Sequence, residues 1–184
     1  MSYDLEKFIN ATLFFAKHVK KLGITKLSKL LYYSDFEHFR LYGRPIIGDC
    51  YIRMEKGPVP KESYSIFNAN FRDGQDNSLR DAIYVRKDPD SKLGLIVAKR
   101  KYDPSLFSKS EIEIMKRMAF IWKDATAKTA SKQSHLEKPW EETSKFNVID
   151  YKLAIDGQPD SISREYAEYR EKEDLFLMEA IERS

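Results

Sequence analysis

The chain has 184 residues, 42% hydrophobic and 33% charged, enough for one domain with a core and short for two. Its one cysteine, Cys50, excludes an internal disulfide or a thiolate zinc cluster, and a mean hydropathy of -0.58 with no long apolar run excludes a transmembrane helix. Lys plus Arg number 32 against 29 Asp plus Glu, and the resulting net charge of +3 is too mild to require a nucleic-acid partner.

The opening Met1-Ser2-Tyr3-Asp4-Leu5-Glu6 lacks the basic-then-apolar order of a secretory signal, so the cytoplasm is the expected compartment. Leu5, Phe8, Ile9, Leu13, Ala16 and Val19 then form a helical stripe, with Gly23 placed to close it. Thr25 is placed to cap a second helix. Leu27, Leu30, Leu31, Tyr32, Tyr33, Phe36 and Phe39 make that helix apolar on most sides, which predicts a central position. Gly43 and Pro45 end it.

The segment from Ile46 to Met54 leads into Gly57-Pro58-Val59-Pro60, where two prolines hold the connection extended. A third helix is predicted over about 61–70 and a polar loop over 71–79. Apolar runs at 82–85 and 93–98, joined through Asp88-Pro89-Asp90-Ser91, read as a hairpin. Ser108 and Glu111 form a capping box ahead of a helix that buries Ile112, Met115, Ala119 and Trp122. A shorter helix over 126–134 stops before His135 and the Pro139-Trp140 pair.

A final helix, about 160–183, places Ile162, Tyr166, Tyr169, Phe176, Leu177 and Ala180 on one face, with Glu168 and Lys172 spaced for an ion pair. Such a helix is either docked on the body or needs a partner. No repeat or flexible linker marks a second domain. The expected fold is therefore mainly α (α+β): one compact helical domain over 1–184 with a small antiparallel β-hairpin. Charge divides unevenly along it, residues 1–61 carrying net +5 and residues 151–184 net -4. Contact between the two ends, an acidic partner on the first, or solvated faces of mixed sign would each account for that.

The chemistry on offer is sparse. Seven dispersed glycines build no phosphate loop, and no serine sits in a nucleophile elbow. No two of His18, His38 and His135 are spaced as a helical metal pair. Asp35 and His38 could share a helical face, joined in space by His135 or Cys50, but a histidine satisfied by its neighbours is the simpler account. Helices followed by a basic hairpin at Lys99-Arg100-Lys101 imitate a winged helix, which makes a DNA-binding regulator the alternative function. The second helix argues against it, since Leu30-Leu31-Tyr32-Tyr33 presents core rather than polar side chains to base edges. Aromatics are the compositional excess at 13%, and Tyr32, Tyr33, Tyr42, Tyr51 and Tyr64 gather in sequence around the stiff Gly57-Pro60 stretch, a combination suited to a protein interface.

Lys29-Leu30-Leu31-Tyr32-Tyr33-Ser34-Asp35, Tyr42-Gly43-Arg44-Pro45-Ile46-Ile47-Gly48-Asp49 and Gly57-Pro58-Val59-Pro60 together resemble the Panacea domain, the SocA-like antitoxin domain of phage-associated proteins. Leu106-Phe107-Ser108 with Glu111, then Ser134-His135 and Pro139-Trp140, are similar to the family's second half, so the likeness runs from about 25 to 140. Arg53 and Lys56 depart from it, standing where a small and an aromatic residue are expected. The resemblance implies a mostly helical antitoxin with no cofactor and no catalytic or metal-binding residue. Its partner would be a cognate toxin protein encoded by a neighbouring gene, bound directly or delivered to a protease. On this reading Tyr32, Tyr33, Asp35, His38, Gly57, Pro58, Val59 and Pro60 lie on or beneath the toxin-contact surface. Asp49, His135, Pro139 and Trp140 are motif residues with a structural role, and the acidic tail beyond Trp140 helps to specify the toxin.

Overall fold

The architecture follows from one helix that is apolar almost all round. In the computed structural model, which describes residues 3–73, 78–89, 91, 93–156 and 158–182, that helix is α2 (Ile24–Tyr42), buried from Lys26 to Phe36 without a break. The expected loop residues 74–77, Asp90 of the expected turn and the last residue of the expected final helix lie outside the described residues. Around α2 pack α1 (Leu5–His18), α3 (Lys61–Asn68), α4 (Lys109–Trp122), α5 (Ala127–Ser134), the short α6 (Lys138–Glu142) and α7 (Arg164–Glu182). Two antiparallel hairpins complete the fold: β1 (Tyr51–Met54) with β2 (Gly57–Pro60), and β3 (Ile83–Lys87) with β4 (Gly94–Ala98). The mainly α class is thus observed, with two hairpins where one was expected.

The additional hairpin arises from the Gly-Pro stretch. Tyr51 pairs with Pro60 and Met54 with Gly57, so the two prolines lie in a strand. They are tolerated because β2 is an edge, where a missing N–H breaks no second ladder. On its other side β1 is lined by residues 146–149, with Ile149 N–H bonded to the Tyr51 carbonyl at 2.8 Å and an isolated bridge between Ile52 and Val148.

Gly23 does not close α1. That helix ends at Val19, and the left-handed residue in the turn is Lys21, at φ 48°. Gly23 instead starts α2, because its carbonyl accepts the first helical bond from Leu27, which moves Thr25 from the expected capping position into the first turn. A side chain at 23 would crowd Leu93 at 3.0 Å, so glycine lets the second hairpin close on the start of α2. The Ser108–Glu111 capping box forms as read, and Gly43 ends α2 in the left-handed conformation at φ 74°.

The apolar side chains of α1, α2, α4 and both hairpins merge into one core that includes Phe8, Phe14, Phe15, Leu30, Tyr32, Tyr51 and Met115. A smaller cluster of Phe39, Ile155 and Ala167 seats the start of α7. The rest of α7 is held by charge. Along the helix Arg44 donates to Asp174 at 3.1 Å and Lys152 pairs with Glu171 at 2.9 Å, and just ahead of it Arg40 donates to Asp160 at 3.2 Å. The basic first third and the acidic end therefore do meet. Glu168 and Lys172 form no pair; of the expected apolar face Ile162 packs against the smaller cluster, whereas Tyr166, Tyr169, Phe176 and Leu177 are turned outward and Ala167 is buried in their place. Among the described residues no helix is long and apolar enough to cross a membrane.

Candidate functional site

Three buried ionisable side chains organise the family-like motif. Asp35, on α2, is fully buried and accepts five hydrogen bonds. The amides of Ile46 and Ile47 reach Oδ1 at 2.9 and 2.8 Å, while the Gly48 amide and the Tyr51 and Tyr151 hydroxyls reach Oδ2 at 3.0–3.2 Å. Burial pushes its carboxyl up to about 6, opposed by these donors. Asp49 does the equivalent for α3. That helix starts at Pro60, which has no side-chain acceptor, and Asp49 supplies one from outside by accepting from Glu62 and Ser63 N–H at 3.0 and 2.8 Å.

Lys29 is the third, with its ammonium donating to the Pro58 carbonyl and burial lowering its pKa to about 7. Gly57 makes room for it. Its φ is +92°, and a Cβ there would collide with Ser134 Oγ and sit 2.9 Å from Lys29 Cε. The Lys29, Gly57 and Ser134 motif positions therefore describe one contact among α2, β2 and α5. Trp140 clamps the same hairpin: its carbonyl accepts from Arg53 Nε at 2.8 Å and its indole N–H donates to the Met54 carbonyl at 3.3 Å. His135 stacks on the indole at 4.0 Å and the Arg53 guanidinium lies 3.9 Å from the ring. Arg53, a departure from the expected pattern, thus belongs to the clamp.

Tyr32 is fully buried, its hydroxyl without a hydrogen-bond partner among the described residues. Tyr33 stacks on Trp122 at 4.8 Å and donates to the Ala130 carbonyl at 2.9 Å, tying α2 to α4 and α5. His38 is buried at 5% exposure. Its Nδ1 faces the Arg44 carbonyl, which can only accept, so Nδ1 carries the proton and Nε2 accepts from Ser110 Oγ at 3.0 Å. Burial lowers its pKa and favours this neutral form. The Ser110–His38 contact has a carbonyl where an acyl-transfer triad has an acid. Asp35 does not complete it, since its oxygens are taken by the 46–48 amides. His135 and Cys50 lie elsewhere, and among the described residues no group of three His, Cys, Asp or Glu side chains is arranged to hold a metal.

Tyr33 and Phe36 open onto a cleft of about 850 Å³ between α2, α4 and the 133–139 segment. Its walls carry charged residues that no motif or spacing singles out. Glu37 pairs with both Arg40 and Arg117, while burial pushes the Glu137 carboxyl up to about 7, with the Glu37 charge adding to the effect. Ile121 and Leu136 stand on its rim, and Leu136 is 68% exposed. Those residues are distant in sequence, so only the fold brings them together.

A mainly α fold whose motif residues lock a hairpin onto a buried central helix defines a helical domain built around the Lys29, Asp35 and Asp49 contacts. The family model "Antitoxin SocA-like, Panacea domain" matches residues 27–141, and the chain belongs to that antitoxin family. No curated protein and no solved structure matches the chain.

Proposed function

We propose that the chain is the antitoxin of a two-gene toxin–antitoxin pair, that it acts in the cytoplasm, and that it neutralises its cognate toxin by binding it directly. The contact surface on this reading is the cleft beside Tyr33, and the supporting observation is that its lining from Tyr33 to Pro139 falls in the matched family region, residues 153–158 closing its far side. Exposed Ile121 and Leu136 border a rigid aromatic wall of Tyr33 and Trp122, with Glu37, Arg117 and Glu137 between them. Large apolar side chains left in water around a preformed concavity lower the entropic cost of docking. Tyr32, Asp35 and the Gly57–Pro60 strand lie beneath or behind this surface and hold its walls in place, while His38 lines a separate groove.

The test is growth of a host expressing the neighbouring gene, with and without this chain, followed by co-purification. The expected result is rescue and a stable complex with the native chain, and loss of both with Leu136→Asp at an unchanged melting temperature. Rescue without a complex, accompanied by a shortened toxin half-life, would replace direct blocking by delivery to a protease. A neighbour that is harmless and unbound overturns the reading and sends the chain to a salt titration against duplex DNA.

A further inference from the structure

The final helix stands outside the matched family region and is amphipathic in the wrong sense for a docked helix. Successive helical residues advance by about 100°, so Ala167, Glu171 and Asp174 share the side that meets the body. Ala167 is buried against Phe39 and Ile155, Glu171 pairs with Lys152, and Asp174 pairs with Arg44. Tyr166, Tyr169, Phe176, Leu177 and Ala180 fall in a stripe roughly 100° wide, centred about 130° away from that side. The stripe is in water: Tyr169 is 60% exposed, Phe176 72% and Leu177 50%. Glu173 lies within it but turns its carboxylate to Arg170 at 2.8 Å.

Two further observations say what covers it. First, the stripe runs at Tyr166 into the His38 groove, about 900 Å³, where apolar Tyr42, Leu106 and Phe107 stand beside Lys7 and Arg44, whose charges are met by Glu111 and Asp174. Second, the helix carries seven acidic and three basic residues; Glu171, Glu173 and Asp174 are taken up by Lys152, Arg170 and Arg44, while exposed Glu165 and Glu168 flank the stripe against Lys172. A second copy of this helix would bring like charges together. We infer that α7 with the adjoining groove is a docking site for a basic amphipathic segment of the cognate toxin, recognised through its apolar face by the Tyr166–Leu177 stripe and through its cationic flanks by the helix carboxylates. This deepens the antitoxin reading and rests on it.

The experiment uses the intact chain and a Phe176→Glu/Leu177→Glu variant, whose substituted side chains are exposed and leave the core untouched. Each is titrated with a synthetic helical peptide bearing a Leu face and a Lys face, and with its Glu-faced counterpart, at low and high salt. In parallel each is tested for rescue against the neighbouring gene. The expected result is that the Lys peptide binds the native chain roughly tenfold or more tighter than the Glu peptide, that salt weakens it, and that the variant loses both peptide binding and rescue. If the native chain rescues and the variant rescues equally well, the docking site on α7 is overturned while the antitoxin reading stands. If the native chain fails to rescue, the antitoxin reading falls with the toxin assignment. A native chain that dimerises, with the variant monomeric, also overturns the proposal, by making the stripe a self-interface.

Discussion

The Tyr151 hydroxyl donates to the carboxylate of Asp35 at 3.1 Å across 116 residues, and to the Asp49 carbonyl at 2.8 Å. One phenol outside the matched family region thus joins the Asp35 carboxylate to the backbone of Asp49. Replacing Asp35 by Ala leaves three amides and the Tyr51 hydroxyl without their acceptor, each a donor whose loss costs about 1–3 kcal/mol, partly recovered by relaxation, while Tyr151 keeps the Asp49 carbonyl. We expect Asp35→Ala to unfold the domain at physiological temperature. Tyr151→Phe removes one donor from a crowded acceptor and should cost only about 1 kcal/mol. Urea midpoints of the two variants measure this, and a stable Asp35→Ala protein would contradict the role assigned to the carboxylate.

At Gly57 two obstacles to a side chain coincide, the positive φ and the collision with Ser134 Oγ. Gly57→Ala should cost about 1–3 kcal/mol from the backbone alone, with the collision in addition. Ser134→Ala in the same chain removes the oxygen but leaves the φ strain. The double variant should therefore be more stable than the sum of the two single effects predicts, and strict additivity in denaturant titrations would show that no steric coupling exists.

Lys29 is buried with a carbonyl as its acceptor, and its pKa in the folded chain, about 7, lies below that of an exposed lysine. Between pH 7 and about 10 the unfolded chain binds a proton that the folded chain does not, so this group makes stability rise with pH over that interval. Lys29→Met removes the titration and leaves the Pro58 carbonyl unpaired, so its absolute stability shifts while its pH slope flattens. Melting temperatures of both proteins across the interval give the difference curve. Parallel curves would mean that the amine is solvated in the folded state.

Much of this frame is legible in the sequence because it depends on local rules. The stripe of α1, the apolar α2, the Ser108 capping box and the β3–β4 hairpin each follow from periodicity or capping chemistry within a few residues. The first hairpin is not legible, because two prolines within four residues ordinarily exclude a strand and only the edge position of β2 admits them. The orientation of α7 is equally hidden. Its apolar face suggests burial, yet Arg44 and Lys152 capture the opposite, acidic side, a choice made in the case of Arg44 by a residue 130 positions away. Tyr32, Asp35 and Gly57 stand out as motif residues from the sequence. That Asp35 holds the 46–48 turn and Gly57 admits Lys29 and Ser134, and that Glu37, Arg117 and Glu137 line the cleft, depends on contacts between distant segments.

Glu137 offers a titration opposite in sign to that of Lys29. Burial raises its carboxyl to about 7 in the folded chain, above its value in the unfolded chain. From about pH 4.5 to 7 the folded state therefore holds a proton that the unfolded state has released, and stability falls as pH rises through that window. Glutamine keeps the shape and removes the charge, so Glu137→Gln should flatten the fall and be the more stable protein above pH 7. Aspartates that are held low by their partners, such as Asp156 beside Arg164 and Asp160 beside Arg40, lose their stabilisation in acid and act in the other direction. The reading must therefore come from the difference between variant and native chain rather than from either curve alone. A difference that is constant from pH 5 to 8 would place the Glu137 carboxylate in free contact with water and remove it from the cleft wall.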